Sequence, residues 1–223
     1  MLQEGDVMEW TMPERVFGPS LDTSVLFALW RAGTHLTGGQ AYRLTATGSE
    51  RGVRYALERL VAHGIVTSWS VGSANLYAVN HDHLSFPAVD AAFRALNPWT
   101  ELARRVERLV AEVLPPDARG SGLRPPDVTV CVFGSVARGT AGPDSDLDLF
   151  VVVPDDAEGS GYLVEQLELQ GRSWTGQRVQ VYLATHSDLA RARAAGDPLI
   201  ESLRADARRV LGPSIDHLLR KTA

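Results

Sequence analysis

The stretch CVFGSVARGTAGPDSDLDLFVVV, residues Cys131–Val153, contains two apolar runs separated by a polar turn. Val128–Phe133 and Leu147–Val153 are rich in β-branched and apolar residues, which predicts two buried strands. Gly134 and Ser135 interrupt the pattern after the first strand. A glycine at this point allows a sharp turn and a close approach of the backbone to a ligand. The stretch therefore predicts a strand, a tight turn, a short polar segment and a second strand.

Two acidic residues, Asp146 and Asp148, stand at the entrance of the second strand. Side chains two residues apart on a strand point to the same face, so both carboxylates project together and Leu147 points away. Two adjacent carboxylates repel each other unless a cation lies between them. Oxygen ligands of this kind suit Mg²⁺ or Mn²⁺. The pattern predicts a divalent-cation site at Asp146 and Asp148.

The turn between the strands has the residues of a phosphate site. Backbone N–H groups near Gly134 and the Ser135 hydroxyl are suited to contact a phosphate. Arg138 follows three residues later and can neutralise phosphate charge. A phosphate site beside a carboxylate pair indicates metal-assisted phosphoryl or nucleotidyl transfer.

The sequences GSVARG and SDLDL resemble the signature of the polymerase-β-like nucleotidyltransferase superfamily, especially its small bacterial members. The match is close over Val128–Val153 and looser to about residue 212. The resemblance implies transfer of a nucleotidyl group from a Mg-NTP to an acceptor hydroxyl. It also implies that Gly134, Ser135 and Arg138 hold phosphates, and that Asp146 and Asp148 are catalytic and bind the metal.

One position departs from the superfamily pattern, which usually places a third carboxylate on a later strand. The candidate strand is Arg178–Ala184, and Gln180 occupies the position that should face the pair. Glutamine accepts hydrogen bonds but cannot act as a base. Glu165, Glu168 and Asp188 are alternative acids outside that strand. Gln180 therefore brings catalytic activity into question.

The N-terminal region has the pattern of three helices followed by a hairpin. Apolar spacing and capping residues predict helices at Ser20–Arg31, Thr37–Leu44 and Ser49–His63, and strands at 65–70 and 75–79. This order, over residues 20–80, resembles the winged-helix domain of bacterial transcriptional regulators. The resemblance implies that the third helix enters the DNA major groove.

By position, the candidate DNA-binding residues are Ser49, Glu50, Arg51, Arg54 and Tyr55. The charge of the region argues in the other direction, because residues 1–90 contain six arginines and nine acidic residues. A DNA-binding module normally presents a basic face. DNA binding, protein-partner binding and homodimerisation therefore all stay open for this domain.

The predicted domains are a winged helix at residues 1–85, a connecting helix and loop at 86–125, and a nucleotidyltransferase-like domain at 126–223, together an α+β protein. The remaining predicted elements are a helical segment Phe86–Leu114 broken at Pro98, a loop over 115–126, a helix Tyr162–Gln170, a helix capped by Ser187, and a helix Asp197–Val210. His81, Asp82 and His83 lie in a predicted linker, and no further cluster of metal ligands accompanies them.

The composition of the 223-residue chain is that of a folded protein, with 44% hydrophobic residues and a formal charge of −5. The single cysteine, Cys131, lies inside a predicted strand and cannot form an internal disulfide. There is no signal-peptide pattern and no long apolar run, so we expect a cytoplasmic protein without membrane spans.

Three functional hypotheses follow from these patterns. The first is a nucleotidyltransferase coupled to a winged-helix module that binds DNA or a partner. The second is a transcriptional regulator whose degenerate transferase domain senses a nucleotide, which the glutamine at position 180 suggests. The third is a member of a toxin–antitoxin-like pair that modifies a partner protein.

Overall fold

A computed structural model describes residues 7–113, 127–142 and 144–221 of the chain. The chain divides into two compact units. One comprises Thr11–Asn97, and the other comprises the chain from Pro98 onward together with the segment that ends at Trp10. The predicted α+β class, with a helical N-terminal region and a C-terminal mixed sheet, is confirmed.

In the first unit, a short 3-10 helix (Pro13–Phe17) precedes helices α1 (Leu21–Ala32), α2 (Gly38–Thr45) and α3 (Glu50–Ala62). A hydroxyl caps each of the three α-helices. The Ser20 and Ser49 side chains accept hydrogen bonds from the N–H groups of Asp22 and Gly52, and Thr37 forms a capping box with Gln40. The caps explain why the helices begin close to the predicted positions.

The sheet of the first unit has three antiparallel strands, β1 (Leu36–Thr37), β2 (Val66–Val71) and β3 (Ala74–Val79), in the order β1-β3-β2. Three helices and this sheet form the winged-helix arrangement. Helix α4 (Phe86–Ala95) packs on the same core. Its Phe93 is buried and contacts the rings of Phe27 and Trp30 at centroid distances of 5.1 and 5.6 Å. The unit therefore ends after Asn97, later than the predicted boundary at residue 85.

The second unit contains a four-stranded mixed sheet in the order β6-β5-β4-β7. β5 pairs parallel with β6, and β4 pairs antiparallel with β5 and β7. Its elements are α5 (Pro98–Val113), β4 (Thr129–Phe133), α6 (Gly134–Arg138), β5 (Leu147–Val153), α7 (Ser160–Thr175), β6 (Val179–Thr185), α8 (His186–Ala194), α9 (Pro198–Asp206), β7 (Arg208–Leu211) and α10 (Ile215–Lys221).

Each face of this sheet has its own hydrophobic core, because alternate residues of β4 and β5 point in opposite directions. On one face, Leu147, Leu149 and Val151 pack with residues of α5 and α7. On the other face, Phe150 and Val152 pack with residues of α8, α9 and α10. The central strands are therefore buried on both faces, which explains their continuous apolar sequences.

Two predictions for the C-terminal region are wrong. The predicted helix Asp197–Val210 ends at Asp206, and Arg208–Leu211 forms β7 against β4, because pairing with that edge overrides the helical pattern. Helix α8 is capped by Thr185 rather than by Ser187, because Thr185 and Asp188 form a capping box. The loop predicted over residues 115–126 lies outside the described residues.

The segment before the first unit is anchored on the second unit. Trp10 is buried, its ring centroid lies 4.7 Å from that of Trp99, and its indole N–H donates a 2.7 Å hydrogen bond to Gln177. The backbone N–H of Met8 donates to the carbonyl of Thr175. Among the helices that the structure describes, none is long and apolar enough to cross a membrane.

Candidate active site

The two acidic residues predicted to bind a metal lie where β5 begins. Asp148 is paired with Phe133 on β4 and with Gln180 on β6. Leu147 is buried among the residues of the opposite face. The alternation of side chains therefore places Asp148 on the face that it shares with Phe150 and Val152.

The turn after β4 passes directly beside Asp148. Gly134 begins α6 with a φ of +72°, a conformation that disfavours residues with a side chain. A β-carbon at residue 134 would lie 2.6 Å from Oδ2 of Asp148. Glycine is therefore favoured at this position for two reasons, the backbone conformation and the space that the Asp148 carboxylate occupies.

The carboxylate of Asp146 is held by two side chains from the neighbouring strand region. The Nε of Arg178 donates a 2.9 Å hydrogen bond to Oδ1, and a second guanidinium nitrogen contacts Oδ2. Gln180 Nε2 also donates to Oδ2, at 2.7 Å. The hydrogen bonds from Arg178 are the main reason why the pKa of Asp146 lies below its ordinary value.

Asp148 is in the opposite electrostatic situation. Burial, and then the negative charge of Asp146, raise the pKa of Asp148 above its ordinary value. The positive charges of Arg138 and Arg178 oppose this rise without cancelling it. The pair therefore has one compensated and one poorly compensated carboxylate, a charge distribution that favours an added cation.

Two hydrogen bonds orient the Gln180 amide. Its NH₂ group donates to Asp146, and its carbonyl oxygen accepts a 3.1 Å hydrogen bond from the Tyr182 hydroxyl. Because an ionised carboxylate only accepts hydrogen bonds, the NH₂ group must be the end that faces Asp146. Gln180 thus occupies the predicted position, with its donor rather than its acceptor toward the carboxylate.

The residues predicted to hold phosphates lie in and beside α6. Ser135 is partly buried in its first turn, and its carbonyl accepts hydrogen bonds from the Thr140 N–H and hydroxyl. Arg138 ends the helix and forms a 2.5 Å ion pair with Asp206, the last residue of α9. The positive charge of Arg138 thus acts on Asp148, but the Arg138 side chain is paired with Asp206.

The alternative acids do not join the pair. Glu165 and Glu168 are exposed on α7, which packs against the face opposite to Asp148. Asp188 accepts hydrogen bonds from Thr185 as a helix-capping residue and pairs with Arg191. Gln180 therefore stands in the site without a substitute carboxylate from these three residues.

Several residues that shape the site were not singled out by sequence reasoning. Arg178 and Tyr182 alternate with Gln180 along β6, so the period of two could have placed them on the same face. No pattern in the sequence indicated a role for Gln177. This residue is only 2% exposed, and its Nε2 donates a 3.0 Å hydrogen bond to the carbonyl of Ser145, the residue before Asp146. Asp206 was also unforeseen, because its contact with Arg138 spans 68 residues.

The donor set at the start of β5 is compatible with one divalent cation. Asp146 and Asp148 supply carboxylate oxygens, which suit Mg²⁺ or Mn²⁺. No cluster of three or more His, Cys, Asp or Glu side chains suited to a metal occurs among the residues that the structure describes. Further ligands for a cation would therefore come from a nucleotide or from water.

The residues predicted to contact DNA are exposed on and before α3. Arg51 donates two hydrogen bonds to the Tyr55 hydroxyl, of 3.1 and 2.9 Å. The guanidinium groups of Arg51 and Arg54 lie 5.4 and 5.5 Å from the centre of the Tyr55 ring. Ser49 caps the helix by accepting from the Gly52 N–H. Ser49, Arg51 and Arg54 line an open depression of about 770 Å³, and Tyr55 directly follows Arg54 on the helix.

Residues 121–205 match the family model of the nucleotidyltransferase domain. The resemblance predicted from GSVARG and SDLDL is thereby confirmed. No curated protein sequence matches the chain significantly.

Matches among solved structures are distant. A toxin–antitoxin structure with AMP-PNP is 18% identical, with a TM-score of 0.36, over 54% of this chain and 82% of that chain. A mutant of the toxin–antitoxin MntA-HpeT is 15% identical, with a TM-score of 0.35 and the same coverage. TrmBL2, an archaeal chromatin protein, is 14% identical, with a TM-score of 0.28, over 89% of this chain and 77% of that chain.

Proposed function

We propose that the second unit transfers a nucleotidyl group from a Mg-NTP to an acceptor hydroxyl. The observation that carries the proposal is the carboxylate pair at the start of β5, with Asp148 packed against the Gly134 turn. The match of this region to the nucleotidyltransferase domain family supports it.

We assign the following roles to the side chains of the proposed site. Asp146 and Asp148 would hold the divalent ion, which would neutralise charge on the triphosphate. Gly134 permits the close approach of the turn, and Ser135 contacts phosphate oxygens. Arg138 adds positive charge from the end of α6 after exchanging its partner Asp206 for a phosphate. Because Gln180 cannot accept a proton, it positions Asp146 rather than acting as a base.

The test is titration of the full chain with ATP, GTP, CTP and UTP in the presence of Mg²⁺, following both binding and pyrophosphate release with candidate acceptors. We expect Mg²⁺-dependent release that Asp146→Asn abolishes while the fold is retained. Asp156→Asn is the matched control, since Asp156 is exposed and outside the site. Equal turnover in wild type and Asp146→Asn would refute the assignment.

A second candidate function is a regulator in which the same site senses a nucleotide without turnover. The observation that favours it is the orientation of Gln180, whose NH₂ group faces the pair where a base would be needed. The exposed cluster of Arg51, Arg54 and Tyr55 supports DNA contact by α3. This function predicts Mg²⁺-dependent nucleotide binding without pyrophosphate release, and an affinity for DNA that changes with bound nucleotide.

A further inference from the structure

Arg178 occupies an unusual position for an arginine, directly at a candidate metal ligand. Its backbone carbonyl accepts a 2.9 Å hydrogen bond from the Leu147 N–H, which aligns it beside Asp146. Its guanidinium group contacts both oxygens of that carboxylate. Because the Arg178 side chain is 69% exposed, it can exchange this partner for another anion without crossing a packed core.

The carboxylates at the site limit how many cations it can hold. Asp146 and Asp148 are the two carboxylates at the start of β5, and Arg178 already contributes one positive charge beside Asp146. One divalent ion would use both carboxylates. A second divalent ion would find no third carboxylate at position 180, since Gln180 directs its NH₂ group toward Asp146.

The geometry points to a site that holds a single divalent ion, in which Arg178 takes the place of a second cation and binds the nucleotide phosphates. The inference rests on the proposed nucleotide site. If a cation were bound by Asp146, the exposed Arg178 guanidinium group would be free to contact another anion, such as a phosphate of the nucleotide. Arginine suits this role because its planar donors contact phosphate oxygens in pairs.

Gln180 has a positioning role in this arrangement. The hydrogen bond from Tyr182 fixes its carbonyl end, and the bond to Asp146 fixes its NH₂ end. The amide therefore fixes the orientation of the Asp146 carboxylate while adding no negative charge to the site. Glutamate at this position would supply the missing carboxylate and allow a second divalent ion to bind.

Equilibrium dialysis of the full chain with Mn²⁺ and the α,β-methylene analogues of the four NTPs tests the inference. We expect one Mn²⁺ bound per chain with the preferred analogue, and two in Gln180→Glu. Arg178→Gln should keep one Mn²⁺ but weaken analogue binding by roughly 10- to 100-fold, the value of a charge-assisted contact. Arg172→Gln is the control, because Arg172 is exposed on α7 and outside the site.

Two results would overturn the inference and leave the proposed function standing. These are two bound Mn²⁺ ions in the wild type, or equal analogue affinity in Arg178→Gln and Arg172→Gln. A Gln180→Glu variant that still binds one Mn²⁺ would overturn the role assigned to Gln180. If the wild type binds no Mn²⁺ and no analogue, the inference and the proposed function both fail.

Discussion

In the second unit, the Asp148 carboxylate occupies the space that a side chain on Gly134 would need. A β-carbon on residue 134 would lie 2.6 Å from the Oδ2 atom of Asp148. The glycine belongs to the turn predicted to contact phosphate, and the aspartate belongs to the predicted metal site. The two halves of the proposed site are therefore in direct contact, and a change in one displaces the other.

Gly134→Ala should reduce both stability and nucleotide binding. An alanine with a φ near +72° is strained by roughly 1–2 kcal/mol, and its β-carbon would displace the Asp148 carboxylate. Urea denaturation and analogue dialysis measure the two effects. Gly142→Ala is the matched control, because a β-carbon there meets no atom within 4 Å. Wild-type analogue affinity in Gly134→Ala would contradict the assignment.

Asp148→Asn should stabilise the metal-free protein slightly at neutral pH. The pKa of Asp148 is raised, so the ionised carboxylate is less favourable in the folded chain than in the unfolded chain. The contribution of Asp148 to the free energy of unfolding is therefore greatest below its pKa in the unfolded chain, and it declines as the pH rises through its pKa in the folded chain. Because the carboxyl group is only partly buried, we expect a gain of no more than about 1 kcal/mol.

Asp146→Asn should destabilise the metal-free protein at neutral pH, because Arg178 lowers the pKa of Asp146 and so stabilises its ionised form in the folded chain. Its contribution is present above the ordinary carboxyl pKa and is lost as pH falls through the folded pKa. Urea denaturation with EDTA, at neutral and at acidic pH, compares the two variants. A change of the same sign in both variants would disprove this account of the pair.

Gln177→Leu should destabilise the second unit by about 1–3 kcal/mol, because it leaves buried hydrogen-bonding groups of Trp10 and Ser145 without their partner. We expect a lower denaturant midpoint and altered Trp10 fluorescence. Gln170→Leu serves as the comparison, since Gln170 is only partly buried and its bond to Gln166 is long, at 3.3 Å. Equal midpoints in the two variants would show that the buried network adds no stability.

Removal of Arg51 or Arg54 tests the proposed DNA contact. If α3 binds the phosphate backbone, each substitution to Gln should weaken binding to a random-sequence duplex by about tenfold. Each should also reduce the slope of log K against log salt by about 1. Fluorescence anisotropy across a salt series measures both quantities. Arg94→Gln is the control, because Arg94 lies on α4 and pairs with Asp90. An unchanged slope in the α3 variants would exclude this surface.

Cys131 should be unreactive in the folded protein. Burial raises the pKa of its thiol to about 12, so almost no nucleophilic thiolate exists at pH 8. Alkylation by iodoacetamide should be at least ~100-fold slower in buffer than in urea. The same shift predicts that the thiol's contribution to the free energy of unfolding is complete below pH 9. It declines as the pH rises toward 12, because only the unfolded thiol ionises in that range. The free energy of unfolding of Cys131→Val should therefore decline less than that of the wild type between pH 9 and pH 12.

Local patterns in the sequence were sufficient for most elements. The apolar runs predicted β4 and β5 to within one residue, because strands buried on both faces must be apolar throughout. Ser20 and Ser49 predicted where α1 and α3 begin, because their hydroxyl groups bond the first free N–H groups of the helix.

Elements that depend on distant partners were not predictable in this way. Arg208–Leu211 has a sequence compatible with a helix, but it forms a strand because it pairs with the edge of β4. Trp10 lies 167 residues from its hydrogen-bond partner Gln177, so its burial in the second unit has no local signal.

The sequence alone predicted that two acids share a face at the start of a buried strand, and the resemblance to the superfamily predicted that Gln180 replaces its usual third carboxylate. The first prediction depends only on the period of two along a strand, whereas the second also depends on the family resemblance. Tertiary structure decided that Arg178 pairs with Asp146, that Arg138 pairs with Asp206, and that the Gln180 amide directs its NH₂ group to the site. These contacts depend on parallel pairing and helix packing between segments about 30 to 70 residues apart, which no local pattern encodes.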